Sequence, residues 1–160
     1  MESTGYKRMT AAQVSERSGS LHVNRLNMFS TLPRRATHGA AGFDMFSKHN
    51  VVLMPGVQTV ISTGLQIFVH PSCYGKIESR SSLAVQGVLV LGGVIDSDYQ
   101  GEVEVILMNA SLVPVTILAG EAYCQLVLIQ IQSPAGVTDC SGLGVERKGG
   151  FGSTNVSANN

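Results

Sequence analysis

The spacing of apolar residues is the feature that most constrains what this chain can fold into. Short runs rich in valine, isoleucine and leucine recur between glycines, prolines and polar residues, and few segments show apolar residues at helical spacing. We interpret these runs as strands that begin at Leu21, Gly42, Asn50, Gly56, Leu65, Tyr74, Val88, Gly101, Val113 and Ala122. Because these strands are too many for one open sheet, the sequence predicts an all-β sandwich or jelly roll.

One short helix is predicted in the segment SSLAVQG, which begins at Ser81. The 160 residues suffice for one domain with a core, whereas two domains would each be small. We expect a flexible polar extension over residues 1–20, a β domain over residues 21–145, and a glycine-rich lid and tail over residues 146–160.

Charge and hydropathy exclude several classes of partner. Lys plus Arg equals Asp plus Glu, at 11 each, so no basic stripe indicates a nucleic acid polymer. The apolar runs fall far short of the roughly 18 residues that a membrane-spanning helix needs. The first residues lack the apolar stretch of a secretory signal, so we expect an intracellular protein, cytoplasmic or nuclear. Cys73, Cys124 and Cys140 form no CxxC pair and are interpreted as core or surface thiols.

The segment GKIESRSSLA places Arg80, Ser81 and Ser82 where a predicted strand meets the predicted helix. A guanidinium fork beside free helix amides and hydroxyls suits the oxygens of a phosphate group. The alternative is structural: Ser81 caps the helix and Arg80 pairs with Glu78. The residues alone leave both interpretations open.

The segment GGVIDSDYQGEVEV places Asp96 and Asp98 in a turn after an apolar strand, followed by Tyr99. An aspartate can act as a base or join the shell of a metal ion, and a tyrosine ring can pack against a sugar. Aspartates also occupy turns for geometry alone. The combination with Tyr99 favours the functional interpretation without deciding it.

Two further segments carry candidate groups. In AAGFDMFS, strand alternation places Asp44 on the face opposite Phe43 and Met45, where it can point into a cleft or into solvent. In KGGFGSTN, exposed glycine amides followed by two hydroxyls suit a wrapper around phosphate, and the phenylalanine suits a cover over a base. A disordered glycine tail is the alternative.

These segments occur in the order and spacing of the motifs of the trimeric dUTP pyrophosphatase (dUTPase) family, which includes viral members. The resemblance runs from about Leu21 to Thr154: AAGFDMFS resembles the first motif, ESRSSLA the second, GGVIDSDYQGE the third, GEAYCQLVL a divergent fourth and GGFGST the fifth. It implies a jelly-roll homotrimer with active sites at the subunit interfaces. The implied reaction is Mg²⁺-assisted attack of water on the α-phosphorus of dUTP, giving dUMP for dTMP synthesis and pyrophosphate, and limiting uracil in DNA.

The resemblance also implies a role for each matching residue in the first four motifs. Asp96 is the general base, Gln125 contacts the phosphate near the reacting centre, and Asp44 helps to hold hydrated Mg²⁺. Tyr99 stacks on the deoxyribose and leaves no room for a ribose 2′-hydroxyl. The main chain of Val90, Leu91 and Gly93, in a tight hairpin, recognises the uracil edge. The guanidinium of Arg80 and the hydroxyls of Ser81 and Ser82 hold the phosphates.

In the fifth motif, the resemblance places Phe151 over the uracil and Gly152, Ser153 and Thr154 on the distal phosphates. Arg147 is expected to reach the terminal phosphate, although it stands four places ahead of Phe151 rather than the usual five. The fourth motif departs as well, because alanine stands at position 122 where the family commonly carries a polar residue.

Two alternatives come from the same resemblance. The related dCTP deaminases need a catalytic glutamate on the strand after the Asp96 turn, at the position of Ile106, and the nearby acid is Glu104. A non-catalytic descendant would instead serve as a binding module for an unidentified protein partner. The lid motif disfavours the first alternative, and the intact Asp96 and Tyr99 disfavour the second as a sole function.

Overall fold

A computed structural model describes residues 21–142. In this part the chain forms eleven strands and one short helix: β1 (His22–Arg25), β2 (Phe43–Phe46), β3 (Val51–Leu53), β4 (Gln58–Ser62), β5 (Leu65–Phe68), β6 (Cys73–Ser79), α1 (Ser81–Ala84), β7 (Val88–Leu91), β8 (Val94–Ile95), β9 (Glu104–Asn109), β10 (Val115–Ile117) and β11 (Ala122–Gln130). Each predicted strand is present, and the all-β prediction with a short helix is confirmed. The run from Val88 differs, because it forms two strands rather than one.

The strands form four sheets, and every strand pair is antiparallel. The largest has the order β2-β11-β6-β8, and a second has the order β4-β9-β7. The pairs β1-β5 and β3-β10 complete the fold. Strand β11, the longest at nine residues, lies between β2 and β6 and therefore anchors the largest sheet.

The core lies between the inward faces of these sheets. Strand β9 shows the alternation that builds it, with Val105 and Leu107 buried and Glu104 and Ile106 exposed. Its partner β4 buries Ile61 in the same way. Full burial of one such aliphatic side chain contributes about 1.5 to 3 kcal/mol, so alternation along each strand fixes which face turns inward.

Asn109 is a polar side chain within this core, and it is fully buried. Its amide donates to the carbonyl of Leu53 at 2.9 Å and to that of Val113 at 2.8 Å. Its oxygen accepts from the backbone amide of Ser111 at 3.0 Å and from the Ser111 hydroxyl at 2.7 Å. The Asn109 side chain therefore forms hydrogen bonds with backbone groups of the turn after β9 and connects this turn to β3, which belongs to another sheet.

No helix in the described part of the chain is long and apolar enough to cross a membrane.

Replacing Asn109 tests this connection. Asn109→Leu keeps the volume but removes the buried amide that donates to the Leu53 carbonyl and the oxygen that accepts from Ser111. We therefore expect the free energy of unfolding to fall by about 1 to 3 kcal/mol in urea denaturation. Asn24→Leu is the control, because half-buried Asn24 donates one 3.3 Å bond to Gln66. A loss of equal size in both variants would contradict the role given to Asn109.

Candidate functional site

A groove of about 310 Å³ opens at one end of the β4-β9-β7 sheet, where β7, β8 and β9 come together. Four of its lining residues were predicted for the site from the sequence, namely Leu91, Gly93, Asp96 and Tyr99. Two others, Glu104 and Ile106, were considered for the alternative deaminase reaction. The groove therefore combines an apolar floor with two carboxylates and an aromatic ring.

The turn at Gly92 and Gly93 shapes one wall of the groove. Both glycines have positive φ, at +68° and +93°, a region that other residues rarely adopt. A Cβ on Gly93 would stand 3.1 Å from the carbonyl oxygen of Ile77, whereas a Cβ on Gly92 would meet nothing within 4 Å. Gly93 is thus favoured by close backbone approach as well as by its φ angle.

This turn differs from the predicted hairpin in one respect. Strand β7 pairs with β9, and β8 pairs with β6, so the two arms of the turn belong to different sheets. The Gly93 carbonyl accepts a 2.8 Å bond from the Ile77 amide, which fixes the turn on β6. The chain changes sheets here because two glycines allow the reversal.

The Val90 amide is already engaged, since it donates to the Ser79 hydroxyl at 2.9 Å. Val90 can therefore meet a ligand through its carbonyl or side chain only. The Gly93 amide, by contrast, donates no hydrogen bond to another residue between 21 and 142. Main-chain recognition at this turn stays a prediction, with Gly93 the better placed donor.

Asp96 and Tyr99 stand on the turn that follows β8. The Tyr99 amide donates to the Asp96 carbonyl at 3.1 Å, which closes the turn and brings both side chains to the groove. The Tyr99 ring is 45% exposed, and its hydroxyl donates to the carbonyl of Glu102 at 2.7 Å. A Cβ on Gly101 would lie 2.5 Å from that hydroxyl, so a larger residue at this position would displace the ring.

Asp44, Arg80 and Gln125 form a second group, which we call the Arg80 cluster. The Arg80 Nε atom lies 3.2 Å from Asp44 Oδ1, and Nη1 donates to the Ala122 carbonyl at 2.8 Å. Gln125 faces Asp44 in the β2-β11 register and donates to the Ser79 carbonyl at 3.2 Å. The cluster thus presents a fixed guanidinium, a carboxylate and an amide at the end of β6.

The structural alternative for the segment GKIESRSSLA, in which Ser81 caps the helix and Arg80 pairs with Glu78, is wrong in both parts. Arg80 pairs with Asp44, whereas Glu78 pairs with Lys76 at 2.5 Å. Arg80 itself occupies the residue before α1, and no side chain caps the helix. Ser81 and Ser82 begin the helix with both side chains exposed, so their hydroxyls remain available to a ligand.

Ser79 lies between the groove and the Arg80 cluster. Its hydroxyl accepts from Val90 on the groove side, and its carbonyl accepts from Gln125 on the cluster side. No hydrogen bond or ion pair joins Asp96 or Tyr99 directly to the cluster in residues 21–142. One copy of the chain therefore carries two separate functional groups that share a supporting strand.

Cys124 is fully buried beside the Arg80 cluster. Burial raises the pKa of its thiol to about 12, so the thiol stays protonated at neutral pH and is a poor nucleophile. The interpretation of Cys124 as a core thiol agrees with this environment.

The predicted lid residues Arg147, Phe151, Gly152, Ser153 and Thr154 lie outside the described residues. Sequence reasoning, in turn, missed Ser79, Gly101 and Glu102. Gly101 carried a weak signal, because a glycine can mark a place that another group approaches closely. Ser79 and Glu102 carried none, since their roles depend on strand pairing across long stretches of chain.

The sequence of this chain is similar to those of one protein family. The family model described as dUTPase matches residues 29–155. Proteins named deoxyuridine 5′-triphosphate nucleotidohydrolase are similar to this chain: that of fowl adenovirus A serotype 1 is 39% identical over 141 residues, covering 86% of this chain and 79% of the relative. The protein of Paramecium bursaria Chlorella virus 1 is 41% identical over 140 residues, covering 86% and 99%. That of Mus musculus is 37% identical over 143 residues, covering 88% of each.

Solved structures show the same fold. A mutant dUTPase of Staphylococcus bacteriophage 80alpha with dUpNHpp superposes with a TM-score of 0.75 at 24% identity, covering 85% of this chain and 98% of that one. A mutant dUTPase from phage phi11 of S. aureus, described with a structural Mg(II) ion, gives a TM-score of 0.70 at 23% identity, covering 76% and 97%.

The two glycines of the turn provide a matched test of the groove wall. Gly92→Ala should cost about 1 kcal/mol of unfolding free energy for its positive φ alone, and Gly93→Ala about 2 to 3 kcal/mol because its Cβ also meets Ile77. Thermal denaturation of the two variants measures the difference. Equal losses would show that the approach of Gly93 to Ile77 is not a constraint.

Proposed function

The chain belongs to the dUTPase family and hydrolyses dUTP to dUMP and pyrophosphate, and we propose that it does so where the groove of one copy meets the Arg80 cluster. The observation that carries this proposal is the groove itself, in which Asp96 and Tyr99 stand beside a main-chain turn built on Gly92 and Gly93. Such a groove suits a small planar base and a sugar next to a carboxylate.

The nucleoside lies in the groove. The Gly93 amide, which is unpaired within residues 21–142, the Val90 carbonyl and the main chain of Leu91 form hydrogen bonds with the uracil edge. The base is therefore selected by fixed backbone groups rather than by mobile side chains. Tyr99 packs on the deoxyribose, where its ring occupies the space that a ribose 2′-hydroxyl would need. Selection against thymine follows from the tight turn, which leaves no space for a methyl group.

The triphosphate lies on the Arg80 cluster. Arg80 is already held by Asp44 and Ala122 through Nε and Nη1, which leaves Nη2 directed to a phosphate oxygen without loss of side-chain freedom. Ser81 and Ser82 add exposed hydroxyls, and the Gln125 amide contacts the phosphate near the reacting centre. These donors offset the charge that repels an attacking water.

Magnesium fits this site through Asp44. No three His, Cys, Asp or Glu residues between 21 and 142 are grouped to form a metal cage. One Asp44 oxygen pairs with Arg80, and the side chain retains 18% exposure, which leaves its other oxygen for a water of a hydrated ion. When bound, Mg²⁺ neutralises phosphate charge, and it keeps several waters with few protein ligands.

Asp96 takes the proton from the attacking water. It is exposed at the groove, on the turn closed by the Tyr99 amide, so its carboxylate is accessible to a solvent molecule beside the sugar and α-phosphorus. Phe151, Gly152, Ser153, Thr154 and Arg147 complete the proposal as a lid over the base and the distal phosphates.

The deaminase alternative lacks its acid. The position that would need a glutamate is Ile106, and its side chain lines the groove as part of the apolar floor. Glu104 lies two places earlier on the same face of β9, but the family match and the dUTPase relatives favour hydrolysis of the phosphate chain.

The outer face of the β4-β9-β7 sheet supports the trimer. Val60 and Leu91 both face Ile106 in the strand register, and Leu89 faces Met108 one row away. Val60 is 58%, Leu89 43% and Ile106 37% exposed in a single copy. A continuous apolar sheet face of this kind is suited to burial between subunits. The groove lies at the same face, so trimer formation would bring a second copy to the site.

Asp96 can be tested against its neighbour in the same turn. Asp96→Asn should bind dUTP with nearly normal affinity but lower kcat by about 10² to 10⁴, because the base is lost while the shape is kept. Asp98→Asn should retain the wild-type kcat. It removes the same charge from an exposed residue that does not line the groove. Pyrophosphate release and dUTP binding measure the two effects. Near-normal turnover by Asp96→Asn would remove Asp96 from the role of base.

The trimer can be tested by charging the apolar face. Leu89→Lys should yield a monomer on a sizing column, because three buried ammonium groups would be unpaired at the interface. Leu118→Lys is the control, since Leu118 is equally apolar and 56% exposed but lies in the turn after β10. A Leu89→Lys protein that remains trimeric would place the interface on another face.

A further inference from the structure

The segment from Tyr99 to Val103 is attached to the start of β5 and to the turn that precedes it by hydrogen bonds that the reaction does not use. Gln66 donates to the Gln100 carbonyl at 2.6 Å. Val103 donates to the Leu65 carbonyl at 2.8 Å and accepts from the Thr63 hydroxyl at 2.7 Å. The backbone on both sides of position 102 is therefore fixed to one neighbouring segment, residues 63–66.

Glu102 is the charged member of this attachment. Its Oε1 atom accepts from the Gly64 amide at 2.6 Å and from the Ser62 hydroxyl, and it lies 3.7 Å from the Lys48 ammonium. Lys48 also donates to the Ser62 hydroxyl at 2.8 Å, so the three side chains form a closed network. The Ser62 hydrogen bond, with the Gly64 amide and Lys48, lowers the pKa of Glu102 against the opposing effect of burial. The carboxylate is thus ionised at neutral pH.

Tyr99 depends on the same residue through the main chain. Its hydroxyl donates to the Glu102 carbonyl at 2.7 Å, and its ring lies across Gly101 without a side chain beneath it. Besides the backbone bond at Asp96, this is the contact that orients the ring in the described structure. A shift of residue 102 would therefore move the ring that faces the groove.

We propose that Glu102, held by Lys48, Ser62 and the Gly64 amide, is a positioning residue that sets the Tyr99 ring and so the selection of deoxyribose over ribose. This inference rests on the proposed contact of Tyr99 with the sugar. Glu102 does not touch the substrate; its carboxylate fixes the carbonyl that holds the tyrosine hydroxyl.

The test compares kcat/KM for dUTP and UTP in the full-length protein. Glu102→Ala should lower the dUTP-to-UTP ratio about tenfold, the factor that corresponds to one net hydrogen bond. Glu102→Gln keeps an acceptor for Gly64 and Ser62 but loses the charge that Lys48 faces, so it should recover part of the ratio. Glu121→Gln is the control, because Glu121 accepts a 2.9 Å bond from the Leu118 amide and has no contact with Tyr99.

A double-mutant cycle separates positioning from general stability. Tyr99→Phe removes the hydroxyl and should lower the ratio as much as Glu102→Ala. The double variant should fall no further, because Glu102→Ala displaces the carbonyl to which that hydroxyl donates, so both changes act through the same contact. If Glu102→Ala fails to fold, Glu102→Gln takes its place in the cycle.

Two results would overturn the inference. One is a Glu102 variant that loses thermal stability but keeps the wild-type ratio, and the other is a cycle in which the two effects add. A wild-type protein that hydrolyses dUTP and UTP equally would instead overturn the proposed role of Tyr99.

Discussion

The antiparallel pairing of β6 with β11 is the constraint on which both halves of the site depend. It places Ser79 opposite Cys124 and next to Gln125, so that Arg80, one residue further, reaches Asp44 on the far side of β11. On its other edge, β6 pairs with β8 and binds the Gly93 carbonyl through Ile77. One strand therefore supports the Arg80 cluster and the turn at Gly92 and Gly93 together, although they lie in sequence segments far apart.

The polar groups of the site are arranged for positioning more than for stability. The ion pair between Arg80 and Asp44 is partly exposed, at 32% and 18% of the side chains, and such pairs add little free energy of folding. What it provides is a guanidinium with two of its nitrogens already engaged, so that under the proposed function the binding of a phosphate would cost little side-chain entropy. The same logic applies to Tyr99, whose hydroxyl is already engaged with the Glu102 carbonyl.

Sequence predicted local features well and long-range ones poorly. Strands followed from alternation and turn residues, and the groove residues Asp96 and Tyr99 followed from one continuous motif. The partner of Arg80 was not accessible from spacing, because Glu78 is near in sequence whereas Asp44 reaches Arg80 only through two strand pairings. Glu102 was missed for the same reason. The apolar run from Val88 did not predict two strands, because the division depends on the pairing of β7 and β8 with different partners.

We infer that the turn at Gly92 and Gly93 and the adjoining groove select dUTP for hydrolysis with the help of the Arg80 cluster and Mg²⁺. The most direct test of this selection is pyrophosphate release from dUTP, dCTP, dTTP and UTP under identical conditions, with and without Mg²⁺. We expect magnesium-dependent release from dUTP and little from the other three. Comparable release from dCTP or UTP, or ammonia from dCTP, would contradict it.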